Sequence, residues 1–229
     1  MSLAALLLSI MEVDHVFVLI NPLGPEIGYL RSVGLTETYQ RQHAGQGTRN
    51  ICYCFENMFL ELLWIDDTNS VRSKDIARTG LYERAQWKTA GTNPFGIAWR
   101  NQPSEAALTP HTWAFKPPYF PAGRHIDVAM DGDDHRQPMM FKSPGATAPC
   151  DWPVEKKGAL QRTSGLGSVL SIQLDSPQSV LPSATLKAIA AESILKLGIS
   201  KTSSFDLTLT IERLNSPESL ILRLPFKAT

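Results

Sequence analysis

The most constraining feature of this sequence is an order of predicted elements that occurs at both ends of the chain. The first unit occupies residues 12–65 and begins with a β-branched and aromatic run that ends at Asn21-Pro22, as a strand entering a turn does. A short helix then stops at Gly34, and three more strands are predicted over 35–40, 49–55 and 58–65. The unit is therefore a strand, a helix and three strands.

The last unit, residues 166–229, has a similar order. A strand is predicted over 168–174, the clearest amphipathic helix of the chain over 183–197, and two strands over 205–211 and 220–226. A unit that recurs in this way indicates an internal repeat. The two ends of the chain therefore predict an α+β fold built by duplication.

The middle of the chain, residues 66–165, is less regular. One helix is predicted over 75–90, and four short strands are predicted over 96–100, 112–115, 126–130 and 139–142. Nine prolines between positions 103 and 153 restrict the backbone and favour loops and strand edges. We therefore expect an insertion or sheet extension that covers a cleft, within a single domain over residues 12–229.

Composition and charge exclude several classes of function. The 229 residues contain 22 Lys+Arg and 22 Asp+Glu, and a nucleic-acid partner usually needs a basic surface, so none is expected. Three cysteines cannot pair completely, which favours a reduced, cytoplasmic protein. The apolar run at 3–11 is too short to span a membrane, so residues 1–11 are expected to be an N-terminal extension without a membrane partner. A homodimer is left open.

Two strings in the first unit resemble a known family. Residues 43–50 (HAGQGTRN) and 59–63 (FLELL), together with the opening strand 13–16 (VDHV), are similar to the glyoxalase-like domain family of the vicinal-oxygen-chelate superfamily. Looser similarity continues through 95–100 and 137–141. The resemblance implies paired βαβββ modules whose curved mixed sheets surround one cleft, which agrees with the repeat at the two ends of the chain.

His15 and Glu61 are the first candidate site residues. Each lies on an apolar face of a predicted strand, and a histidine and a carboxylate are rarely buried there without a partner. The resemblance implies that the two strands are neighbours and that both side chains bind one divalent metal ion (Zn, Fe, Mn, Ni or Co). A metal-free, hydrogen-bonded His–Glu pair that lines an apolar pocket is the alternative interpretation.

The second half of a metal site is missing from the repeat. Alignment of the last unit with the first places Val169 opposite His15 and Ile221 opposite Glu61, and neither side chain can bind a metal. Further ligands would have to come from the middle segment, for example His125 or Asp127. The last unit is therefore expected to contribute only shape to the cleft.

A glycine-rich loop and a group of aromatic residues complete the candidate site. Gly45 and Gly47 permit a tight turn, and the side chains that follow supply hydrogen-bond donors where the chain enters a strand. With the resemblance, His43 is assigned to the pocket as a catalytic residue beside Glu61. The candidate substrate-binding residues are Arg49, Asn50, Trp64, Trp99 and Arg100.

The resemblance implies a small-molecule enzyme of the glyoxalase or dioxygenase type. Its substrate stays unknown, and its chemistry would use either a divalent ion or an acid–base pair at His15 and Glu61. The alternative is a metal-free protein that binds or sequesters a small apolar or aromatic ligand. Stabilisation by divalent ions would favour the enzyme, whereas stabilisation by organic ligands alone would favour the binding protein.

Overall fold

A computed structural model describes residues 11–100 and 109–225. This part of the chain contains twelve strands and six α-helices. The strands are β1 (Glu12–Leu19), β2 (Tyr39–His43), β3 (Thr48–Cys54), β4 (Phe59–Ile65), β5 (Phe95–Arg100), β6 (Thr112–Phe115), β7 (Ile126–Ala129), β8 (Met139–Lys142), β9 (Leu166–Ser176), β10 (Leu195–Ile199), β11 (Asp206–Arg213) and β12 (Leu220–Leu224). The helices are α1 (Pro25–Ser32), α2 (Thr68–Val71), α3 (Leu81–Ala85), α4 (Trp87–Ala90), α5 (Val154–Lys157) and α6 (Ala184–Glu192).

Eight strands form one mixed sheet in the order β2-β3-β4-β1-β5-β8-β7-β6. β1 is parallel to β4, and β5 is parallel to β8; the other pairs are antiparallel. The order β5-β8-β7-β6 in one half therefore repeats the order β1-β4-β3-β2 in the other. The two halves meet at the antiparallel pair β1–β5.

The last unit forms a second sheet in the order β10-β9-β11-β12. Its first strand, β9, pairs in parallel with the next strand along the chain, β10. In the first unit, by contrast, β1 pairs in parallel with β4, which is the last strand of that unit. The α+β class with mixed sheets is confirmed. The middle segment, expected to be an insertion or sheet extension, extends the first unit's sheet, because β5 pairs with β1. The last unit, expected to pair with the first as the second module, forms a separate sheet.

A shared apolar core fills the space between the two sheets. Side chains such as Val16 and Leu60 from the large sheet meet Ile172 and Leu209 from the small sheet, and Ile189 of α6 closes one side. Because side chains alternate along a strand, the large sheet presents its other residues to its opposite face. That opposite face is where the candidate site lies. None of the described helices is long and apolar enough to cross a membrane.

Two predicted helices are wrong in extent. The helix expected over 183–197 ends at Glu192, because residues Leu195–Ile199 form β10 and pair with β9, which buries Leu195. The helix expected over 75–90 is interrupted at Gly80, whose φ of 65° lies in the left-handed region and ends a helical turn. The N-terminal extension falls on residues 1–10, outside the described residues, apart from Met11, which is buried.

Candidate active site

A pocket of about 190 Å³ lies on the face of the large sheet that is turned away from the shared core. Its walls are largely aromatic and include Phe17, Phe59, Phe120 and Phe141. Gly96 makes room for one of these rings, because a Cβ atom at that position would lie 1.9 Å from the Phe17 ring. The pocket therefore offers an apolar surface to a small ligand.

His15 lies at the floor of this pocket between two carboxylates. Its Nδ1 is 2.7 Å from Oδ1 of Asp14, and its Nε2 is 3.7 Å from Oε2 of Glu61. The ring stacks on Phe59 with a centroid distance of 4.2 Å, and the side chain is 7% exposed. The predicted neighbouring placement of His15 and Glu61 on β1 and β4 is therefore seen in the structure, with one additional carboxylate.

A β-bulge brings Asp14 to the site. Neighbouring residues of a regular strand point to opposite faces, so Asp14 and His15 would normally be separated. In the pairing of β1 with β5, however, Val13 faces Trp99 and His15 faces Ala98, so that Asp14 is the extra residue. Bulges re-aim side chains in this way, and the carboxylate consequently reaches the imidazole of its own neighbour.

Asn50 holds Glu61 in position. The Asn50 amide donates to Oε1 of Glu61 at 2.6 Å, and both side chains are buried. The carboxylate therefore has one oxygen fixed by an amide, while the other faces His15. Asn50, predicted as a substrate-binding residue, lines the pocket, and its contact with Glu61 makes it a positioning residue as well.

Arg100 lies behind the site. Its guanidinium donates to Glu12 Oε2 at 2.7 Å and to the Asn57 carbonyl at 2.8 Å, and its Nη1 is 3.6 Å from Oδ2 of Asp14. Arg100 does not line the pocket. The structure therefore places Arg100 behind the pocket, with its charge facing the Asp14 carboxylate that contacts His15, and its contact with substrate stays a prediction.

His43 is the second histidine of the pocket. Its Nδ1 is 2.8 Å from the Thr48 hydroxyl, and its ring stacks on Tyr119 at 5.0 Å. Burial lowers the pKa of His43; the charge of Glu61 opposes this effect and the charge of Arg41 adds to it. His43 is therefore neutral at pH 7 and can donate or accept one hydrogen bond in the pocket.

Three of the predicted substrate-binding residues lie elsewhere. Arg49 follows Thr48 on β3 and points to the sheet face opposite the pocket, where its Nε is 2.9 Å from Oδ2 of Asp66. Trp64 and Trp99 belong to the core between the two sheets. The reason is the alternation of side chains: Leu63 and Ala98, their chain neighbours, face the pocket side, so the tryptophans face the core.

The described donor set does not fit a divalent metal held by three or four protein ligands. His125 and Asp127 are 3.3 Å apart and about half exposed, but neither lines the pocket. On the half of the sheet that repeats the first unit, the side chains near His15 are Ala98 and Phe141. In residues 11–100 and 109–225, no group of three or more His, Cys, Asp and Glu side chains could hold an ion. His15 and Glu61 would supply two ligands.

The last unit takes no part in the pocket. Val169 is buried in the core between the sheets, and Ile221 is 40% exposed on the outer surface. The half of the cleft expected from these two residues comes instead from β7, β8 and the segment that follows β8, including Ile126 and Met139. The cause is again the pairing of β5 with β1, which places the middle segment beside His15.

Burial outweighs the nearby positive charges at the two strand cysteines: Arg41 lowers the pKa of Cys52 and Lys156 lowers that of Cys54, but burial has the larger, opposite effect on each. Cys52 and Cys54 are buried beside Phe59 and Trp152, as expected for small core residues. Burial raises the pKa of the Cys54 thiol to about 12 and raises that of Cys52 well above its usual range. Both thiols are protonated at neutral pH, so neither is a nucleophile.

This chain is similar to one family model and to several solved structures. The family model described as glyoxalase-like domain matches residues 13–132, which include β1 to β7. No curated protein matches the chain. Among solved structures, a hypothetical protein from Staphylococcus aureus is similar over 93% of this chain and 98% of its own, with 13% identity and a TM-score of 0.48.

Two methylmalonyl-CoA epimerases are also similar in structure. The one from Streptomyces coelicolor, in complex with 2-nitronate-propionyl-CoA, has 14% identity and a TM-score of 0.37 over 60% of this chain and 99% of its own. The one from Mycobacterium tuberculosis has 16% identity and a TM-score of 0.36 over 63% and 94%. The family match spans more than half of the 229 residues and confirms the resemblance seen in the sequence. The chain therefore belongs to the glyoxalase-like domain family of the vicinal-oxygen-chelate superfamily.

Proposed function

We propose that this protein is a small-molecule enzyme that transfers a proton to or from its substrate at His15 and Glu61. The observation that carries the proposal is the placement of the His15 ring between two carboxylates at the floor of an aromatic pocket. General acid–base chemistry needs such groups within reach of one substrate atom. The substrate itself is not specified by this cluster.

Asp14 and Asn50 prepare the two reacting groups. An ionised carboxylate only accepts hydrogen bonds, so Asp14 keeps the proton of His15 on Nδ1 and leaves Nε2 to face Glu61. At 3.7 Å, Nε2 and Oε2 of Glu61 are too far apart to bond to each other. Both atoms are therefore available to a substrate C–H or O–H, and the aromatic walls keep water away from it.

A divalent ion on His15 and Glu61 is the competing mechanism implied by the family resemblance. Such an ion would act as a Lewis acid on a substrate oxygen. Two ligands from the described residues do not make a tightly bound site, because catalytic ions usually have three protein ligands. We therefore derive the proton transfer from the side chains alone.

A metal-free binding protein is the second candidate function. The observation in its favour is the aromatic lining, which would hold an apolar ligand without any reaction. The two functions differ in one measurable property: an enzyme of this kind exchanges substrate protons with solvent, and a binding protein does not.

Solvent deuterium incorporation tests the proposal. The protein would be incubated in D₂O with a panel of short aldehydes, ketones and oxo acids, and the products examined by proton NMR. We expect exchange next to a carbonyl group in the wild type and a loss of about 10²-fold or more in Glu61→Gln and His15→Asn. Arg49→Gln, on the sheet face opposite the pocket, should keep the wild-type exchange. Exchange that survives Glu61→Gln would overturn the proposal, and ligand binding without any exchange would favour the binding protein.

A further inference from the structure

Two cations lie at the rim of the pocket. Arg41 is in β2, where alternation places it on the same face as Tyr39 and His43, and all three line the pocket. Lys156 is in α5, within the segment that covers the pocket from the other side. The acidic groups of the site, Asp14 and Glu61, are at the floor, so the pocket has an acidic floor and a basic rim.

Aromatic rings hold both cations over the pocket. The guanidinium of Arg41 is 5.3 Å from the centroid of Tyr39, and Nζ of Lys156 is 3.6 Å from the centroid of Trp152. These two rings are themselves 6.5 Å apart. Cation–π contacts of this kind restrain long side chains that would otherwise extend into solvent. The rings therefore direct both charges towards the same opening.

Neither cation is neutralised within the described part of the chain. No carboxylate lies within salt-bridge distance of Arg41 or Lys156, whereas Arg49, on the other face of the same hairpin, is paired with Asp66. Burial lowers the pKa of Lys156 and the positive charge of Arg41 lowers it further, while the charge of Asp14 opposes both effects without reversing them. The two charges therefore repel each other, and an anion between them would relieve this repulsion.

We infer that the pocket accepts a small organic carboxylate. Its carboxylate group lies between Arg41 and Lys156, and its apolar body extends along Phe59 and Phe141 towards His15. The opposite orientation would place the anion beside two carboxylates at the floor, which is electrostatically unfavourable. The inference rests on the proposed function only in assigning the reacting end of the molecule to His15 and Glu61.

Binding of matched acids and amides tests the inference. The probes are phenylacetate and phenylacetamide, with hexanoate and hexanamide as an aliphatic pair, measured by calorimetry on the full chain. We expect the wild-type protein to bind at least one acid about tenfold or more tightly than its amide, as charge-assisted hydrogen bonds allow. Arg41→Gln/Lys156→Gln should bind acid and amide equally, and the control Arg49→Gln should keep the wild-type preference.

The outcomes separate the inference from the proposed function. Equal binding of acid and amide by the wild-type protein, no binding of any probe, or a preference that survives in the double variant would each overturn the inference. Because both replaced side chains are exposed, an unchanged melting temperature would show that the double variant is folded. A carboxylate preference that persists in Glu61→Gln, in a protein without deuterium exchange, would retain the inference while removing the proposed function.

Discussion

Asp14 shows how a single residue can complete a site. A regular β1 would present His15 to the pocket and Asp14 to the core, where an unpaired carboxylate is costly. The bulge instead places Asp14 between the His15 imidazole and the Arg100 guanidinium. The carboxylate is 2% exposed and therefore acts on both groups in a medium with little water.

Replacement of Asp14 should affect catalysis more than binding. In Asp14→Asn the amide can donate to Nδ1 of His15, which moves the imidazole proton to Nε2 and removes the acceptor that faces the pocket. We expect deuterium exchange to slow on the order of 10²-fold with little change in KM. Nitrogen NMR of the imidazole would report the changed tautomer. The matched control is Asp66→Asn, the partner of Arg49 away from the pocket. An unchanged rate in Asp14→Asn would contradict its positioning role.

His43 should make stability depend on pH. Burial lowers its folded-state pKa below the ordinary value of 6.5, so the unfolded chain binds the proton more readily. This contribution to stability is complete above pH 6.5 and is lost as the pH falls from there through the lowered pKa, at up to about 1.4 kcal/mol per pH unit. Urea unfolding between pH 7.5 and 5 should give a flatter profile for His43→Gln than for the wild type. The exposed control His125→Gln should keep the wild-type slope, and equal slopes in all three would refute the assignment.

At the residue scale, the sequence predicted the polar residues at the floor of the pocket but not those at its rim. Four predicted residues line the pocket, because the sequence segments that resemble the family form neighbouring strands: His15, His43, Asn50 and Glu61. Asp14 escaped prediction because a bulge leaves no signal in the spacing of apolar residues. Lys156 at the rim was not predicted for another reason. It lies in α5, in a segment of the chain whose residues show no periodic pattern.

At the scale of elements, a buried arginine fixes the loop that leads into β8. Arg84 in α3 is 0% exposed and donates to the carbonyls of Asn93, Gly132, His135 and Gln137. Burial lowers its pKa to about 10, so it stays charged at neutral pH. One side chain therefore ties α3 to the start of the strand that carries the pocket residues.

Loss of this side chain should be strongly destabilising. Arg84→Met keeps much of the volume but removes the guanidinium donor from four carbonyls. The His135 carbonyl keeps the Asn93 N–H as a donor, whereas each carbonyl left unpaired costs about 1 kcal/mol or more when buried. We expect the free energy of unfolding to fall by roughly 3 kcal/mol or more in urea titrations. Arg78→Met, which removes an exposed arginine beside Asp133, should change it little. Equal effects of the two variants would contradict the role assigned to Arg84.

Sequence patterns predicted elements well where the pairing is local. The strands over 112–115 and 139–142 and the hairpin of β3 and β4 lie where their residue patterns indicated. The end of α6 did not, because residues Leu195–Ile199 can be apolar on one face of a helix or on one side of a strand. Pairing with β9, a contact made across the fold, decides between the two.

At the scale of the whole molecule, the two sheets share more than an apolar core. The amide of Asn57, in the turn between β3 and β4, bonds both the N–H and the carbonyl of Val169 at 2.9 Å. Gln161 likewise bonds both backbone groups of Thr36, at 2.9 and 2.8 Å. Each amide supplies hydrogen-bond partners to backbone groups that would otherwise be unpaired: those of Val169 in β9 and of Thr36 in the loop before β2. The single domain over residues 12–229 and the homodimer stay predictions, and the first of them has a direct test.

The test uses the uneven distribution of tryptophan. All five tryptophans precede residue 166, and two of them, Trp64 and Trp99, pack in the core between the two sheets. Tryptophan fluorescence therefore reports the large sheet together with this shared core, whereas far-UV circular dichroism reports the backbone of both sheets. Because core side chains from both sheets contact one another, we expect the two signals to give one coincident urea transition. Asn57→Ala should shift both signals together by about 1–3 kcal/mol, since it leaves two backbone groups unpaired.

The control for this comparison is Asn69→Ala, an exposed asparagine whose removal should leave the transition in place. A dichroism transition at low urea that changes only part of the fluorescence, with the rest of the fluorescence changing at higher urea, would mean that residues 166–229 unfold by themselves. The pocket would then be a property of the large sheet alone, because the last unit supplies none of its lining. Coincident transitions would instead mean that the two sheets unfold as one cooperative unit. A variant that destabilises the small sheet would then also destabilise β1 and β4, which position His15 and Glu61.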